Sequence, residues 1–107
     1  MAFEYPCHWT ERANGDVDDA VSYMAVELAN PQAASRFLEQ LDAVLETISC
    51  FPDSGALVQN EFFPYSGVRQ KLIFNYVLYY LVDHEKKRVN LLRVLYGRRD
   101  LVKAWIE

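Results

Sequence analysis

The sequence predicts an α+β fold of two layers, a helical hairpin packed on an antiparallel sheet, in the order β-α-α-β-β-β. Three observations carry this expectation. From Val68 to Asp100 the chain reads VRQKLIFNYVLYYLVDHEKKRVNLLRVLYGRRD, three strand-length runs parted by Asn75 and by the charged tip from Asp83 to Lys87. These runs are rich in β-branched and aromatic residues. Upstream, two apolar stripes at helical spacing follow one another with almost no linker. At the start, Phe3, Tyr5, Cys7 and Trp9 alternate with Glu4, Pro6, His8 and Thr10, the pattern of a strand with one apolar face.

Each element can be read in turn. Pro6 has no amide hydrogen to give, so the first strand belongs at a sheet edge or carries a bulge there. Thr10 is suited to cap the first helix, whose stripe is Ala13, Val17, Ala20, Met24 and Leu28. Asn14 and Gly15 weaken its first turn, which moves the expected start towards Asp16. Asn30-Pro31 closes this helix and opens the next, because Asn caps well and Pro is tolerated at the first helical position. Ala34, Phe37, Leu38, Leu41, Val44, Leu45 and Ile48 form the second stripe, ended by Pro52 and Gly55. Residues 52–67 then read as an irregular loop tied down by Phe62, Phe63 and Tyr65. In the run beginning at Val68, Leu72 and Phe74 share its parity, while Arg69 and Lys71 share the other, Ile73 excepted. That alternation predicts a core face and a basic face turned away from the helices. Tyr76 to Val82 is apolar on both parities, as a central strand should be. Val89 to Tyr96 is likewise apolar on both, apart from Asn90 and Arg93. Leu101 to Glu107 reads as a short helical tail.

With 107 residues the chain is expected to form one domain, over residues 1–107. No run approaches the roughly 18 apolar residues of a membrane span. The first residues, MAFEYPCHWTER, lack the basic and apolar regions of a secretory signal, so a cytoplasmic location is expected. Cys7 and Cys50 with His8 and His84 have no metal-ligand spacing, and no Gly-rich phosphate loop is present. Neither a metal nor a cofactor is expected, and nothing points to a metabolic enzyme. The net charge of −4 is unevenly placed: residues 1–53 hold ten acidic and two basic groups, residues 54–107 five acidic and nine basic. An acidic helical cover over a basic sheet can steer a polyanion that the net charge alone would repel.

Ordered along the chain, Ala13, Asp16-Val17, Ala20, Tyr23-Met24, Asn30-Pro31, Ala33-Ala34, Phe37, Phe51-Pro52, Gly55, Val68-Arg69, Tyr76 to Tyr80 and Arg93-Val94-Leu95-Tyr96-Gly97-Arg98-Arg99-Asp100 resemble the RelE/ParE superfamily of toxins from bacterial type II toxin–antitoxin modules, which stabilise plasmids as addiction modules. The resemblance implies a small antitoxin as partner and one of two activities. ParE-like members poison DNA gyrase through a binding surface; RelE-like members cleave messenger RNA on the ribosome. The nucleases carry an arginine where this chain has Val77, and a catalytic tyrosine where it has Trp105. Together with the Val68-Arg69 start and the Tyr76-Val77 pair, these departures turn the reading towards gyrase. A ribonuclease and a non-toxic, repurposed binding module stand as the alternatives.

The resemblance also nominates residues. If the chain is a ribonuclease, Arg98, Arg99 and Tyr96 are its catalytic candidates, because arginine stabilises a phosphorane and a phenol can exchange protons. For target or antitoxin binding the candidates are Arg69, Lys71, Arg93, Arg98, Arg99 and Trp105, the first three as a basic sheet face. Asp16, Asp18 and Asp19 are explained by the dipole of the first helix. An acidic, amphipathic antitoxin segment would neutralise the basic face.

Overall fold

The structure is a computed structural model that describes residues 4–58 and 66–97. Its elements are β1 (Cys7–Trp9), α1 (Glu11–Ser22), a π-helical turn (Tyr23–Glu27), α2 (Pro31–Cys50), a 3-10 turn (Pro52–Ser54), β2 (Ala56–Leu57), β3 (Arg69–Ile73), β4 (Tyr76–Asp83) and β5 (Arg88–Tyr96). The sheet order is β1-β5-β4-β3-β2. Both helices lie on one face of it, where Ala13, Ala20, Phe37, Leu41, Val44 and Ile48 pack with Ile73, Leu78, Tyr80, Val89, Leu91 and Val94. The two-layer α+β architecture is the expected one. No helix among the described residues is long and apolar enough to cross a membrane.

The sheet is mixed rather than antiparallel. β1 runs parallel to β5, with Cys7, His8 and Trp9 opposite Val89, Asn90 and Leu91. Alternation fixes which face a strand buries but not its direction. β1 does lie at the sheet edge, as Pro6 required. At the other edge β2 adds a two-residue strand to Arg69 and Gln70 of β3. β4 takes the central position, and its residues from Val77 to Tyr80 are buried.

Thr10 caps α1 as expected, its hydroxyl accepting from the Ala13 N–H at 3.2 Å. The helix nevertheless starts at Glu11 and carries Gly15 in its second turn. The cap and the burial of Ala13 outweigh a glycine that costs about 1 kcal/mol. At Tyr23 the winding loosens: the Leu28 N–H reaches the Tyr23 carbonyl, five residues back, at 3.0 Å. The extra residue rotates the stripe out of register, so Leu28 is exposed instead of buried. Asn30 caps α2 through a bond from the Ala33 N–H at 3.1 Å. Its stripe is buried except for Leu38, which is exposed, and Leu45, which packs half-buried against the core. Gly55 follows the 3-10 turn, donating its N–H to the Tyr80 hydroxyl at 2.9 Å. A β-carbon there would strike that hydroxyl and the Gln70 carbonyl.

The face assignment of β3 is corrected. Ile73, the exception to the parity rule, is buried under the helices, whereas Leu72 is 58% exposed and Phe74 also faces solvent. Lys71 stands opposite Leu78, a residue of the helix-side core. Arg69 and Lys71 therefore share the face that carries the helices, not the opposite one. Arg69 is kept there by acceptors at the end of α2, donating from Nη1 to the carbonyls of Gly55 (2.8 Å) and Asp53 (3.1 Å). The opposite face has its own small core of Val68, Val77 and Tyr79 with Val58, Leu81, Leu92 and Leu95. A bulge between Tyr79 and Tyr80 leaves Leu92 as the extra residue of β5. The faces switch there: Leu92 and Val94, of one parity, lie on opposite sides. Phe62, Phe63 and Tyr65 and the tail from Leu101 lie outside the described residues.

Candidate functional site

A cleft of about 850 Å³ opens where the helical hairpin overhangs the end of the sheet. Its floor is a row of rings and a strand end. Phe37 of α2 meets Tyr76 of β4 edge to face at 5.0 Å between centroids. Tyr76 in turn meets Tyr96 of β5 at 5.3 Å. Burial, and then the neighbouring Tyr96 and Tyr23, push the Tyr76 phenol above its ordinary range. Tyr96 is 57% exposed, so one side of its ring faces the cleft mouth.

Two local features supply the walls. The π-helical turn begins at Tyr23 and presents that ring to the cleft. Such turns recur at functional sites because the widened winding re-aims side chains. On the other wall, Phe74 and Asn75 make the two-residue connection between β3 and β4, since Ile73 and Tyr76 are paired. Phe74 has φ +54°, a left-handed conformation that favours glycine at the first place of such a loop. A bulky residue held there stores about 1–2 kcal/mol of strain. Its ring is 62% exposed and lines the cleft. Asp19 on α1 and Arg36 on α2 are both exposed and also line it.

The end of β5 is fastened from α1. The carboxylate of Asp16 accepts from Arg93 Nε (2.8 Å) and Nη2 (3.0 Å), and from the Val94 N–H (3.0 Å). Both side chains of this pair are 14% exposed. A two-pronged, half-desolvated pair of this kind fixes geometry more firmly than a surface contact. At the strand end the Gly97 N–H donates to the Asn75 carbonyl at 2.8 Å, and Gly97 takes φ +65°. The chain thus turns at Gly97 immediately before Arg98-Arg99-Asp100.

The nominated residues fare differently. Tyr96 is at the cleft, while Arg98, Arg99 and Trp105 lie outside the described residues. Arg93 is bound to Asp16, and Arg69 lies 3.6 Å from Asp53 at the far end of α2. These two guanidiniums are held by different carboxylates, on strands either side of β4. Lys71 is half-buried on the helix side of β3. Tyr23, Phe74, Arg36 and Asp19 were not singled out as cleft residues by the sequence. Only Phe74, an exposed-turn position occupied by a large apolar residue before Asn75, carried a signal that could have flagged it. Asp16 was explained by the helix dipole, but its carboxylate is occupied by β5. No group of three or more ligand-type side chains capable of holding a metal occurs among the described residues.

No curated protein matches the sequence at a significant level. Among solved structures, the chromosomal ParDE toxin–antitoxin system from P. aeruginosa is similar with a TM-score of 0.69 and 20% identity, over 90% of this chain and 99% of that one. The toxin–antitoxin complex RelBE2 from Mycobacterium tuberculosis is similar with a TM-score of 0.63 and 21% identity, over 90% of this chain and 93% of that one. At such identities the likeness speaks for the fold. The family is given by sequence: residues 7–101 match the ParE toxin of type II toxin–antitoxin system, parDE. That span runs from the first residue of β1 through the bulged β5 and the Gly97 turn, so the chain belongs to the ParE toxin family of type II toxin–antitoxin systems.

Proposed function

We propose that this toxin arrests growth in the cytoplasm by acting on DNA gyrase through a binding surface rather than a catalytic set. The match to the ParE family carries this reading. A second observation supports it. Val77, at the position where the ribonuclease branch carries arginine, is 2% exposed and packs with Val68 and Tyr79 in the core of the sheet face away from the helices. An arginine there would be a buried charge without a partner, several kcal/mol out of place. The side chain nominated for acid–base work, Tyr96, stands against Tyr76, a hydrophobic neighbour that takes up no proton in the neutral range.

The partner in this reading is a cognate antitoxin, and the cleft at Tyr96 is its docking place. Arg98 and Arg99, which follow Gly97 in the sequence, are the proposed contacts to the target. Induction of the lone protein in a bacterial host, with DNA and protein synthesis followed separately, tests the target. The expected result is an early block in DNA synthesis with trapped gyrase, lost in the double variant Arg98→Ala, Arg99→Ala expressed at equal level. An early fall in protein synthesis with messenger RNA cut within codons would replace gyrase by the ribosome. No arrest at all would replace toxin action by a repurposed binding module.

A further inference from the structure

We propose that the cleft takes a free guanine nucleotide, its base on the exposed rings, the donor edge of the base on Asp19 and the phosphate on Arg36. The inference stands apart from the gyrase reading. It shares the cleft with the proposed antitoxin contact, so the two occupants exclude one another. The unused charges of the cleft point to it. Two carboxylates and one cation line the cleft. Asp16 is spent on Arg93 and on the Val94 N–H. Asp19 on α1 and Arg36 on α2 do not pair with each other, and neither side chain has a hydrogen bond or ion pair among the described residues. An apolar ligand filling the cleft would take water from both charges and return nothing. The occupant therefore carries a hydrogen-bond donor and an anionic group, far enough apart to reach two packed helices.

Between those charges the lining is aromatic. Tyr96 of β5 stands beside Tyr76 of β4, and Phe74 lies beyond it in the β3–β4 turn, so the rings run across the end of three strands. Two interstrand spacings make about 10 Å, room for a base with its ribose. Tyr23, Phe74 and Tyr96 are each more than half exposed. Ring faces left open in a cleft of about 850 Å³ suit a planar heterocycle, which stacks on aromatic side chains. At Phe74 the ring is presented from a left-handed backbone, a strained position of the kind that gathers at ligand sites.

The free carboxylate chooses among bases. Guanine presents a ring N–H and an exocyclic amine side by side, two parallel donors that match the two oxygens of Asp19 as the fork of an arginine does. Adenine and cytosine turn a ring-nitrogen lone pair towards the same carboxylate, and uracil and thymine offer it a single N–H. At the other end, the guanidinium of Arg36 is built to take a phosphate through two N–H bonds.

NMR of the full-length protein titrated with guanosine monophosphate, with no antitoxin present, tests the site. The ring protons of Tyr23, Phe74 and Tyr96 shift saturably, with a dissociation constant of about 1 mM or lower. Adenosine monophosphate binds at least about tenfold more weakly, and so does guanosine, which lacks the phosphate. Asp19→Asn removes the preference for guanine over adenine and keeps that for nucleotide over nucleoside. Arg36→Gln does the reverse, and both variants keep the parent's unfolding midpoint because both side chains are exposed. Two separable losses are what stacking alone would not produce. No saturable shift up to about 10 mM guanosine monophosphate overturns the site. Equal affinity for the adenine nucleotide, or shifts that survive unchanged in both variants, overturns the assignment of Asp19 and Arg36. Growth arrest without trapped gyrase removes the gyrase reading and leaves these titrations as they stand.

Discussion

At the scale of single residues, Asp16 is the position on which most depends. Its carboxylate accepts two bonds from Arg93 and one from the Val94 N–H, and the pair is mostly shielded from water. Truncation would take two bonds from a half-buried guanidinium and the acceptor from a strand-edge amide together. Removing one partner of a shielded pair costs more than the pair contributes, because the charge left behind keeps its desolvation penalty and loses its nearest counter-charge. Asp16→Ala should therefore lower stability by about 3 kcal/mol in urea unfolding. Asp16→Asn, which keeps acceptors but no charge, should cost about half as much. Equal midpoints for the alanine variant and the parent would show the pair to be a surface contact. None of this was legible in the sequence. The two residues lie 77 positions apart, and an aspartate early in a helix already has a sufficient local explanation in the helix dipole. Arg93 looked like a surface cation for the same reason: its partner enters only through the tertiary fold.

At the scale of elements, what could be read was what local chemistry decides. Thr10 and Asn30 cap their helices, and Ala34, Phe37, Leu41, Val44 and Ile48 face the core, because a cap or a 3.6-residue period acts within a few residues. Gly15 does not delay the start of α1, which begins at Glu11. The glycine is helical, and a β-carbon added to it would meet nothing within 4 Å. Gly15→Ala should raise stability by about 0.5–1 kcal/mol without other effect, which thermal unfolding will show as a higher midpoint. The π-helical turn left no trace in the sequence, because the winding that exposes Leu28 follows from packing rather than propensity. The β3–β4 turn makes a sharper case. Phe74 occupies a left-handed position suited to glycine, so Phe74→Gly should stabilise the toxin by about 1 kcal/mol. The same change removes a wall of the cleft, so antitoxin affinity should fall by about tenfold or more, as titration calorimetry would measure. Strain relieved with binding unchanged would mean that Phe74 is merely tolerated. A gain in stability with a loss of binding would mean that the strain serves the site.

For the whole molecule, the two layers divide the chemistry as well as the core. Acidic groups concentrate in the half that forms β1 and the helices, basic groups in the half that forms the rest of the sheet, and the two ion pairs of Asp16 with Arg93 and Asp53 with Arg69 stitch those halves together. The fold class could be read because apolar periodicity records which surfaces must be buried. Strand direction and the bulge at Leu92 could not, since either direction of β1 buries the same face. The same burial makes a prediction about pH. The Tyr76 and Tyr80 phenols and the Cys7 thiol are all raised above their ordinary values, in each case first by desolvation. A folded-state value above the unfolded one means that the native state holds its proton after the unfolded chain has released it. The stability these groups contribute is then complete below the unfolded values, about 8.5 for the thiol and about 10 for the phenols, and declines as pH rises beyond them. Unfolding midpoints should therefore fall above about pH 9 and fall more steeply past about pH 10. Tyr76→Phe, which removes one of the shifted phenols while keeping the ring against Phe37 and Tyr96, should make the decline past pH 10 shallower. Tyr80→Phe should do so too, but from a lower starting stability, because its hydroxyl joins Gly55 to Pro52. An unchanged alkaline slope in Tyr76→Phe would mean that the cleft floor is open to water, and that an incoming segment finds it already hydrated.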